Sequence, residues 1–363
     1  MIRQEIGSFF EQMDTCSQKK QSGFKYKQRY ELVSCGRQAI ELALQDIENR
    51  EINTKRCMLP IYTCDTVIDP FKKNGWDIFF YRVNYCLQVD KEYFLEQLNS
   101  IKPTVLFMHT YYGSDTIKNV RDEVKKAQNE WGMIFIEDMT QSLGLLEKVT
   151  GADYYVGSLR KWFAIPDGGF VFGKEELFVD LKGENHEFVQ LKKQAQQQKR
   201  EYLDGNEYVK KAEFLTIHKH AEELLYKQNE IFAMSDFSKE ILDAIDIQEV
   251  LKIRTRNGQY LENQVRTLGH IKPVLSSKAE GYLYYPVYVK DRQKLQSFLK
   301  NQDIYAPVLW PVDPLIENKM DDVTRYIYEH LIALPCDQRY TLQDMERISL
   351  CLREFDSMQE KRK

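Results

Sequence analysis

Apolar runs alternate with amphipathic segments through the first half of the chain. The runs that are typical of buried strands are residues 77–83 (DIFFYRV), 104–109 (TVLFMH) and 133–136. The segments with apolar residues at helical spacing are residues 36–47, 91–99 and 119–130. Because strands and helices alternate, the pattern predicts an α/β protein built from βαβ units.

The sequence pattern divides the chain into three parts. Residues 1–30 are mostly polar and are interpreted as an N-terminal arm that packs on the body or on a partner subunit. A large domain is expected over 31–250, and within it 174–250 reads as long polar helices without a second core of their own. Residues 251–363, with a strand at 282–289 and a closing amphipathic helix at 344–352, are expected to form a smaller domain.

One lysine lies in a stretch rich in apolar and aromatic residues. Lys161 is found in DYYVGSLRKWFAIPDGGFVFG, residues 153–173. Apolar surroundings penalise an ammonium and favour an amine that attacks carbonyls, which is the chemistry of a Schiff-base lysine. The alternative is a surface lysine whose stem lies along an apolar wall.

Two carboxylates follow the buried strand at 133–136. Glu137 and Asp138 come at its C-terminal end, where open α/β sheets place their sites. An enzyme that uses pyridoxal phosphate needs a carboxylate against the pyridinium nitrogen and a lysine for the aldehyde. Asp138 and Lys161 meet that need.

The N-terminus of the first predicted helix has the features of a phosphate-binding site. Its N-terminus is SCGRQ, residues 34–38, where free backbone N–H groups and the helix dipole favour an anion and Gly36 allows a close approach. The alternative is an ordinary capped helix.

The chain resembles the DegT/DnrJ/EryC1/StrS family of pyridoxal-phosphate-dependent sugar aminotransferases, which have the fold type I of aspartate aminotransferase. The resemblance covers about 30–170 and 250–353 and rests on SCGRQAIELAL, LPIYTCDTVIDPF, FIEDMTQSLG and SLRKWFAIPDGG, in the family's order. It implies a large domain with a mostly parallel central sheet flanked by helices, and a smaller α+β C-terminal domain. The segments RTRNGQYL and LIALPCDQRYTLQDMERI resemble that smaller domain.

The resemblance also implies roles for individual residues. Lys161 and Asp138 would be catalytic, Cys64 would occupy the position on the ring face that is commonly aromatic in the family, and Gln141 would bond the ring oxygen. Ser158 would bind the cofactor phosphate together with the residues of the helix terminus, Gly36, Arg37 and Gln38. His109 is interpreted as a hydrogen-bonded loop histidine and not as a catalytic one.

The implied activity is transfer of an amino group from glutamate or glutamine to a keto sugar, which in the family is usually nucleotide-linked, by a symmetric homodimer. One alternative is a sugar dehydratase, which family members become when histidine replaces the lysine. Another is a non-catalytic regulator or scaffold that keeps the fold.

Composition changes this picture little. The net charge of −4 arises from 51 basic and 55 acidic residues, which does not favour a nucleic-acid or membrane partner. The seven cysteines lack CxxC spacing, no apolar run reaches membrane-spanning length, and a cytoplasmic protein with reduced thiols is expected.

His218 and His220 would point about 200° apart on a helix, so a solvated helix face is preferred over a metal site.

Overall fold

The structure is a computed structural model, and it describes residues 4–13, 24, 30–50, 52–148, 151–175, 177 and 181–360. Among these residues, none of the helices combines the length and the apolar character needed to cross a membrane.

The described residues form a seven-stranded sheet, which carries the candidate site. Its strands, in their order across the sheet, are β2 (Tyr30–Val33), β8 (Gly169–Gly173), β7 (Tyr154–Ser158), β6 (Ile134–Asp138), β5 (Val105–His109), β3 (Arg56–Pro60) and β4 (Asp77–Tyr81). The strands from β7 to β4 are parallel to one another, whereas β8 is antiparallel to both of its neighbours. The prediction of an α/β fold with a mostly parallel central sheet is therefore confirmed.

Strands β5, β7 and β8 are buried along their whole length, which is expected of strands that are covered on both faces. The first four helices of the covering layers are α1 (Gly36–Glu48), α2 (Asp65–Lys73), α3 (Lys91–Ile101) and α4 (Arg121–Trp131). The ends of α1, α3 and α4 lie within two residues of the ends of the three predicted helical segments.

The C-terminal part has its own antiparallel sheet, in which β10 (Tyr285–Val289) lies between β9 (Ile271–Pro273) and β12 (Leu331–Leu334). The helices of this part and of the approach to it are α7 (Asp236–Ala244), α8 (Ile247–Val265), α9 (Arg292–Lys300), α10 (Pro314–Glu317), α11 (Asp322–His330) and α12 (Leu342–Glu360). This arrangement of helices with an antiparallel sheet agrees with the α+β character predicted for the smaller C-terminal part.

The polar region after β8 forms two long helices that pack against each other, α5 (His186–Leu203) and α6 (Lys211–Lys227). We call this pair the helical hairpin. It does have a small core, made by Phe188, Val189, Ala221 and Leu225 together with Cys35 beside α1. The expectation that the inserted helices lack a second core is wrong, because their sparse apolar residues face one another and the N-terminus of α1.

His218 is not on a solvated face of the hairpin. Its ring stacks on Phe9 with centroids 4.0 Å apart, and its Nδ1 is 3.0 Å from Lys192 Nζ. The helical pattern could not reveal this contact, because the covering residue comes from the N-terminal segment. Within the described part of the chain, no group of three or more His, Cys, Asp or Glu side chains is arranged to hold a metal ion.

The described N-terminal residues 4–13 pack on the same chain. Strand β1 (Ile6–Gly7) pairs in parallel with β11 (Ile304–Tyr305). Arg339 donates to the carbonyl oxygens of Ser8 and Phe9 and pairs with Glu11. The segment thus joins the C-terminal part to the helical hairpin.

We predict that the hairpin depends on its small core. Phe188 is fully buried, so Phe188→Ala should lower the free energy of unfolding of the hairpin by about 3 kcal/mol. Leu215→Ala, at an exposed position on α6, should change it by less than about 0.5 kcal/mol. Amide hydrogen exchange in 186–227 measures both changes, and equal protection in the two variants would contradict this packing.

Candidate active site

A cavity of about 140 Å³ lies at the carboxyl edge of the parallel strands. His109, Asp138 and Ser158 are the last residues of β5, β6 and β7, so parallel pairing brings their side chains to one edge. The residues that line this cavity are Cys35, Gly36, Arg37, Ile40, Cys64, Thr66, Val67, His109, Asp138, Thr140, Gln141, Ser158, Arg160, Lys161, Glu222, Leu225, Tyr226 and Trp310. We call it the inner cavity.

Asp138 is held as a carboxylate. His109 Nδ1 is 3.0 Å from its Oδ2, and the Thr140 backbone N–H donates to its Oδ1 at 2.8 Å. Burial opposes ionisation of Asp138, but these hydrogen bonds outweigh burial and lower its pKa. Because a carboxylate only accepts, His109 donates from Nδ1 to Asp138, and its Nε2 is hydrogen-bonded to the Thr63 hydroxyl at 2.7 Å.

Glu137, one residue earlier, points to the other face of β6, as strand geometry requires. Its side chain is fully buried, and Arg121 donates to both of its oxygens at 2.7 and 3.1 Å. Of the two carboxylates at this strand end, only Asp138 reaches the inner cavity.

The N-terminus of α1 opens into the inner cavity. Its N-cap, Cys35, makes no side-chain capping bond, so the first backbone N–H groups of the helix have no such partner. A Cβ atom on Gly36 would lie 3.1 Å from Ser158 Cβ, so a side chain here would narrow the space between the helix and β7. This terminus has the features of an anion cradle.

The side chains of Arg37 and Gln38 do not form that cradle. The Arg37 guanidinium donates to the carbonyl oxygens of Leu225 and Tyr226 at the end of α6. The fully buried Gln38 does not line the inner cavity; it bonds the side chain of Ser34 and the segment 228–232. These two residues can therefore offer backbone N–H groups at the helix terminus, while their side chains hold the helical hairpin.

Lys161 ends the short 3₁₀ turn Leu159–Lys161 that follows β7. Trp162 and Phe163 are buried beneath the turn, whereas Lys161 is exposed and lines the inner cavity. The apolar surroundings expected for its amine are therefore not found, because the aromatic neighbours in sequence turn into the core. The turn still brings the amine to the cavity that contains Asp138.

The inner cavity is also lined by three further residues to which the resemblance gives a role. They are Cys64, Gln141 and Ser158. Gln141 Oε1 accepts from the Tyr112 backbone N–H at 3.1 Å, which leaves its amide NH₂ as a donor. Burial raises the pKa of the Cys64 thiol to about 11, so this thiol is neutral.

Sequence reasoning missed several residues of the site. His109 is one of them, because the sequence pattern interprets it as a loop histidine. Its position at the end of an apolar run is the same kind of signal that locates Asp138. Trp310 comes from the loop after β11, and its ring lies 5.8 Å from the ring of His109 at an interplanar angle of 22°. Glu222 and Tyr226 come from α6, and only the folded hairpin brings them to the cavity.

A larger cavity of about 750 Å³ adjoins the inner one, and Arg160 and Lys161 line both. We call it the outer cavity. Its walls come from the N-terminal segment, α5 and the C-terminal part. Six of its lining residues are cationic and one is acidic, and they are Arg160, Lys161, Lys192, Arg254, Lys300 and Arg339, with Asp337. The outer cavity is therefore suited to an anionic small molecule.

The inner cavity fits pyridoxal phosphate in the chemistry of its groups. It offers an amine for an aldehyde, an ionised carboxylate for a ring nitrogen, and an uncapped helix terminus for a phosphate.

No family model and no curated protein sequence matches this chain. Solved structures do match it. A DegT DnrJ EryC1 StrS aminotransferase from Brucella abortus has a TM-score of 0.64 at 14% identity, over 90% of this chain and 86% of that one. PseC from Helicobacter pylori, an aminotransferase involved in the biosynthesis of pseudoaminic acid, has a TM-score of 0.67 at 12% identity, over 98% and 100%. NtdA from Bacillus subtilis, solved with the cofactor PMP, has a TM-score of 0.61 at 15% identity, over 90% and 73%.

These likenesses show the fold. The chain has the fold of aminotransferases of the DegT/DnrJ/EryC1/StrS type, as its motifs predict.

We predict that His109 keeps Asp138 ionised. In His109→Ala the buried carboxylate loses a charge-assisted hydrogen bond, which should lower the free energy of unfolding by roughly 3 kcal/mol near pH 7. The pKa of Asp138 in the folded variant should then rise above the unfolded value of about 3.9, so the folded state gains protons as the pH falls. The stability difference from wild type should therefore narrow towards about pH 4.

Urea denaturation at several pH values measures this difference. His109→Asn is the matched control, because its amide keeps a donor near the Nδ1 position and should preserve the wild-type pH dependence. A stability difference that is the same at every pH would contradict the role of His109.

Proposed function

We propose that this protein is a pyridoxal-phosphate-dependent aminotransferase that acts on a keto sugar. The observation that carries the proposal is the convergence of Lys161, the ionised Asp138 and the uncapped N-terminus of α1 on one cavity. The shared fold with sugar aminotransferases supports it.

The residues of the inner cavity would divide the task of binding. Lys161 would hold the aldehyde, and Asp138, kept ionised by His109, would hold the ring nitrogen in its protonated form. The N–H groups at Gly36 and Arg37 and the Ser158 hydroxyl would hold the phosphate, and Gln141 would bond the ring oxygen. Cys64 lies where the family commonly has an aromatic residue. Besides His109, the aromatic side chains that line the inner cavity and could lie near the cofactor are Trp310 and Tyr226.

Pyridoxal phosphate, when bound, supplies an electron sink for the bonds at the α-carbon of an amino donor. The free amine of Lys161 would move the α-proton, which is general acid–base catalysis by a group within reach of the reacting carbon. The presence of a lysine at position 161 favours amino transfer over the dehydration that related proteins perform with histidine.

The outer cavity would receive the acceptor. Its volume of about 750 Å³ is within the range of small-molecule sites, and its cationic lining favours an acceptor that carries phosphate. We infer a nucleotide-linked keto sugar as the acceptor and glutamate or glutamine as the donor. The six cysteines among the described residues are free thiols, which suits the proposed cytoplasmic location.

The first test of the proposed function is the half-reaction with glutamate. Adding glutamate to the cofactor-loaded protein should change its visible absorbance, and Asp138→Asn should slow that change by roughly a thousandfold, because an amide does not hold the ring nitrogen protonated. Cofactor retention should change far less. The change is followed by stopped-flow absorbance.

Glu137→Gln is the matched control, since it alters the neighbouring carboxylate on the other face of β6. It should cost stability through the loss of its pair with Arg121 and leave the half-reaction rate within about threefold of wild type. If Glu137→Gln stopped the half-reaction and Asp138→Asn did not, the site would be assigned to the wrong carboxylate.

We also propose that the active unit is a symmetric homodimer with its sites near the interface. Tyr226 lines the inner cavity and is 55% exposed in the single chain, and Tyr208 beside the hairpin is 93% exposed. A partner subunit lying on the helical hairpin would cover both side chains.

Sedimentation of the cofactor-loaded protein at micromolar concentration should therefore give a dimer. Tyr208→Glu should weaken the dimer, since it places a charge where an aromatic side chain would be buried. Ser100→Glu, at an exposed position on α3 outside the hairpin, adds the same charge and is the control. A monomer that retains cofactor and full activity would contradict this proposal.

A further inference from the structure

Arg160 and Lys161 are the cations shared by the inner and outer cavities among the residues that the structure describes. If Lys161 is committed to the cofactor, Arg160 is the cation that remains at the junction. Arg37, which also lines the inner cavity, donates to carbonyl oxygens of α6. Lys192, Arg254 and Arg339 line only the outer cavity.

The guanidinium of Arg160 is fixed by the helical hairpin. Its Nη1 donates to Glu222 Oε1 at 2.9 Å, and its Nη2 donates to Glu222 Oε2 at 3.3 Å. The same group lies 5.7 Å from the centre of the Phe188 ring. A planar guanidinium held by a bidentate pair cannot rotate away, so the directions of its three other N–H bonds, one at Nε and one at each Nη, are set.

Of these three, Nε–H is buried and has no hydrogen-bond partner in the described part of the chain. Leaving a buried donor unpaired costs about 1–3 kcal/mol. The two free N–H bonds at Nη1 and Nη2 belong to a side chain that is 18% exposed and lines both cavities, so a ligand there can accept from them.

The surrounding charges also favour an anion. Glu222 is the carboxylate that faces both Arg160 and Lys192, and Lys192 Nζ lies 2.7 Å from its Oε1. His218, beside Lys192, stays neutral because burial lowers its pKa to about 3. One carboxylate therefore faces two cations, which leaves a net positive charge at the junction.

Resting on the proposed function, we propose that Arg160, oriented by Glu222 of the helical hairpin, binds the carboxylate of the amino donor at the junction of the two cavities. The donor's amino group must reach the position of the Lys161 amine, and its carboxylate is attached to the neighbouring carbon. A cation adjacent to Lys161 and open to both cavities is the group positioned to receive that carboxylate. The hairpin thereby contributes to donor selection through Glu222.

The probe is 2-methylglutamate, which carries the donor's carboxylates and lacks the α-proton, so that binding is measured without turnover. Titration of the cofactor-loaded protein, followed by visible absorbance, gives its dissociation constant. Arg160→Gln should raise that constant about 100-fold, because a charge-assisted hydrogen bond to the carboxylate is lost. Arg160→Lys should recover part of the loss, since it restores a point charge without the planar fork.

Three controls separate the role of Arg160 from other effects. Lys219→Gln removes an exposed cation of α6 that lines neither cavity and should leave the dissociation constant within about threefold of wild type. A primary amine without an α-carboxylate, 4-aminobutyrate, should bind equally to wild type and Arg160→Gln. The equilibrium dissociation constant of the cofactor from the apoprotein should change less than about threefold in Arg160→Gln.

An unchanged constant for 2-methylglutamate in Arg160→Gln would overturn the proposal, and so would a loss of cofactor affinity that accounts for the whole effect. The second result would assign Arg160 to the cofactor phosphate. If the wild-type protein gave no absorbance response to any amine, both the proposed function and this inference would be overturned. If the inference alone failed, the wild-type protein would still respond.

Discussion

The close approach of two backbone segments determines the geometry of the site. At Gly169, the first residue of β8, a Cβ atom would lie 2.4 Å from the carbonyl carbon of Cys35 and 2.9 Å from the Gly36 nitrogen. The Gly168 N–H also donates to the Ser34 carbonyl at 2.7 Å. Because no side chain separates these segments, α1 begins directly beside the ends of β7 and β8, where Ser158 and Lys161 lie.

The helical hairpin contacts residues at the N-terminus of α1 that would otherwise be exposed to solvent. Arg37 caps the C-terminal carbonyl groups of α6, and Gln38 is bonded to the segment that follows it. Cys35 joins the small core of the hairpin. The same insertion supplies Glu222 to Arg160. An insertion that is polar in sequence thus becomes a wall of both cavities through a few long-range contacts.

Apolar runs in the sequence predict strands β4, β5 and β6 and the carboxyl edge at which Asp138 lies. The positions of Asp138 and Lys161 follow from apolar runs that end in polar residues, which are local signals. The sequence does not predict the side-chain directions of Arg37 and Gln38, because their hydrogen-bond partners are about 190 residues away in the chain. His109 and Trp310 were missed for the same reason, since their roles depend on which strand and loop ends meet. The exposed position of Lys161 depends on a tight turn that sends its aromatic neighbours into the core.

The most direct test of the account is to find which residue bonds the cofactor. The wild-type protein would be loaded with pyridoxal phosphate, reduced with borohydride, digested and mapped by mass spectrometry. The account predicts a single modified peptide that contains Lys161, with loss of the visible absorbance on reduction. Modification at another lysine, such as Lys192 of the outer cavity, or a protein that takes up no cofactor, would contradict it.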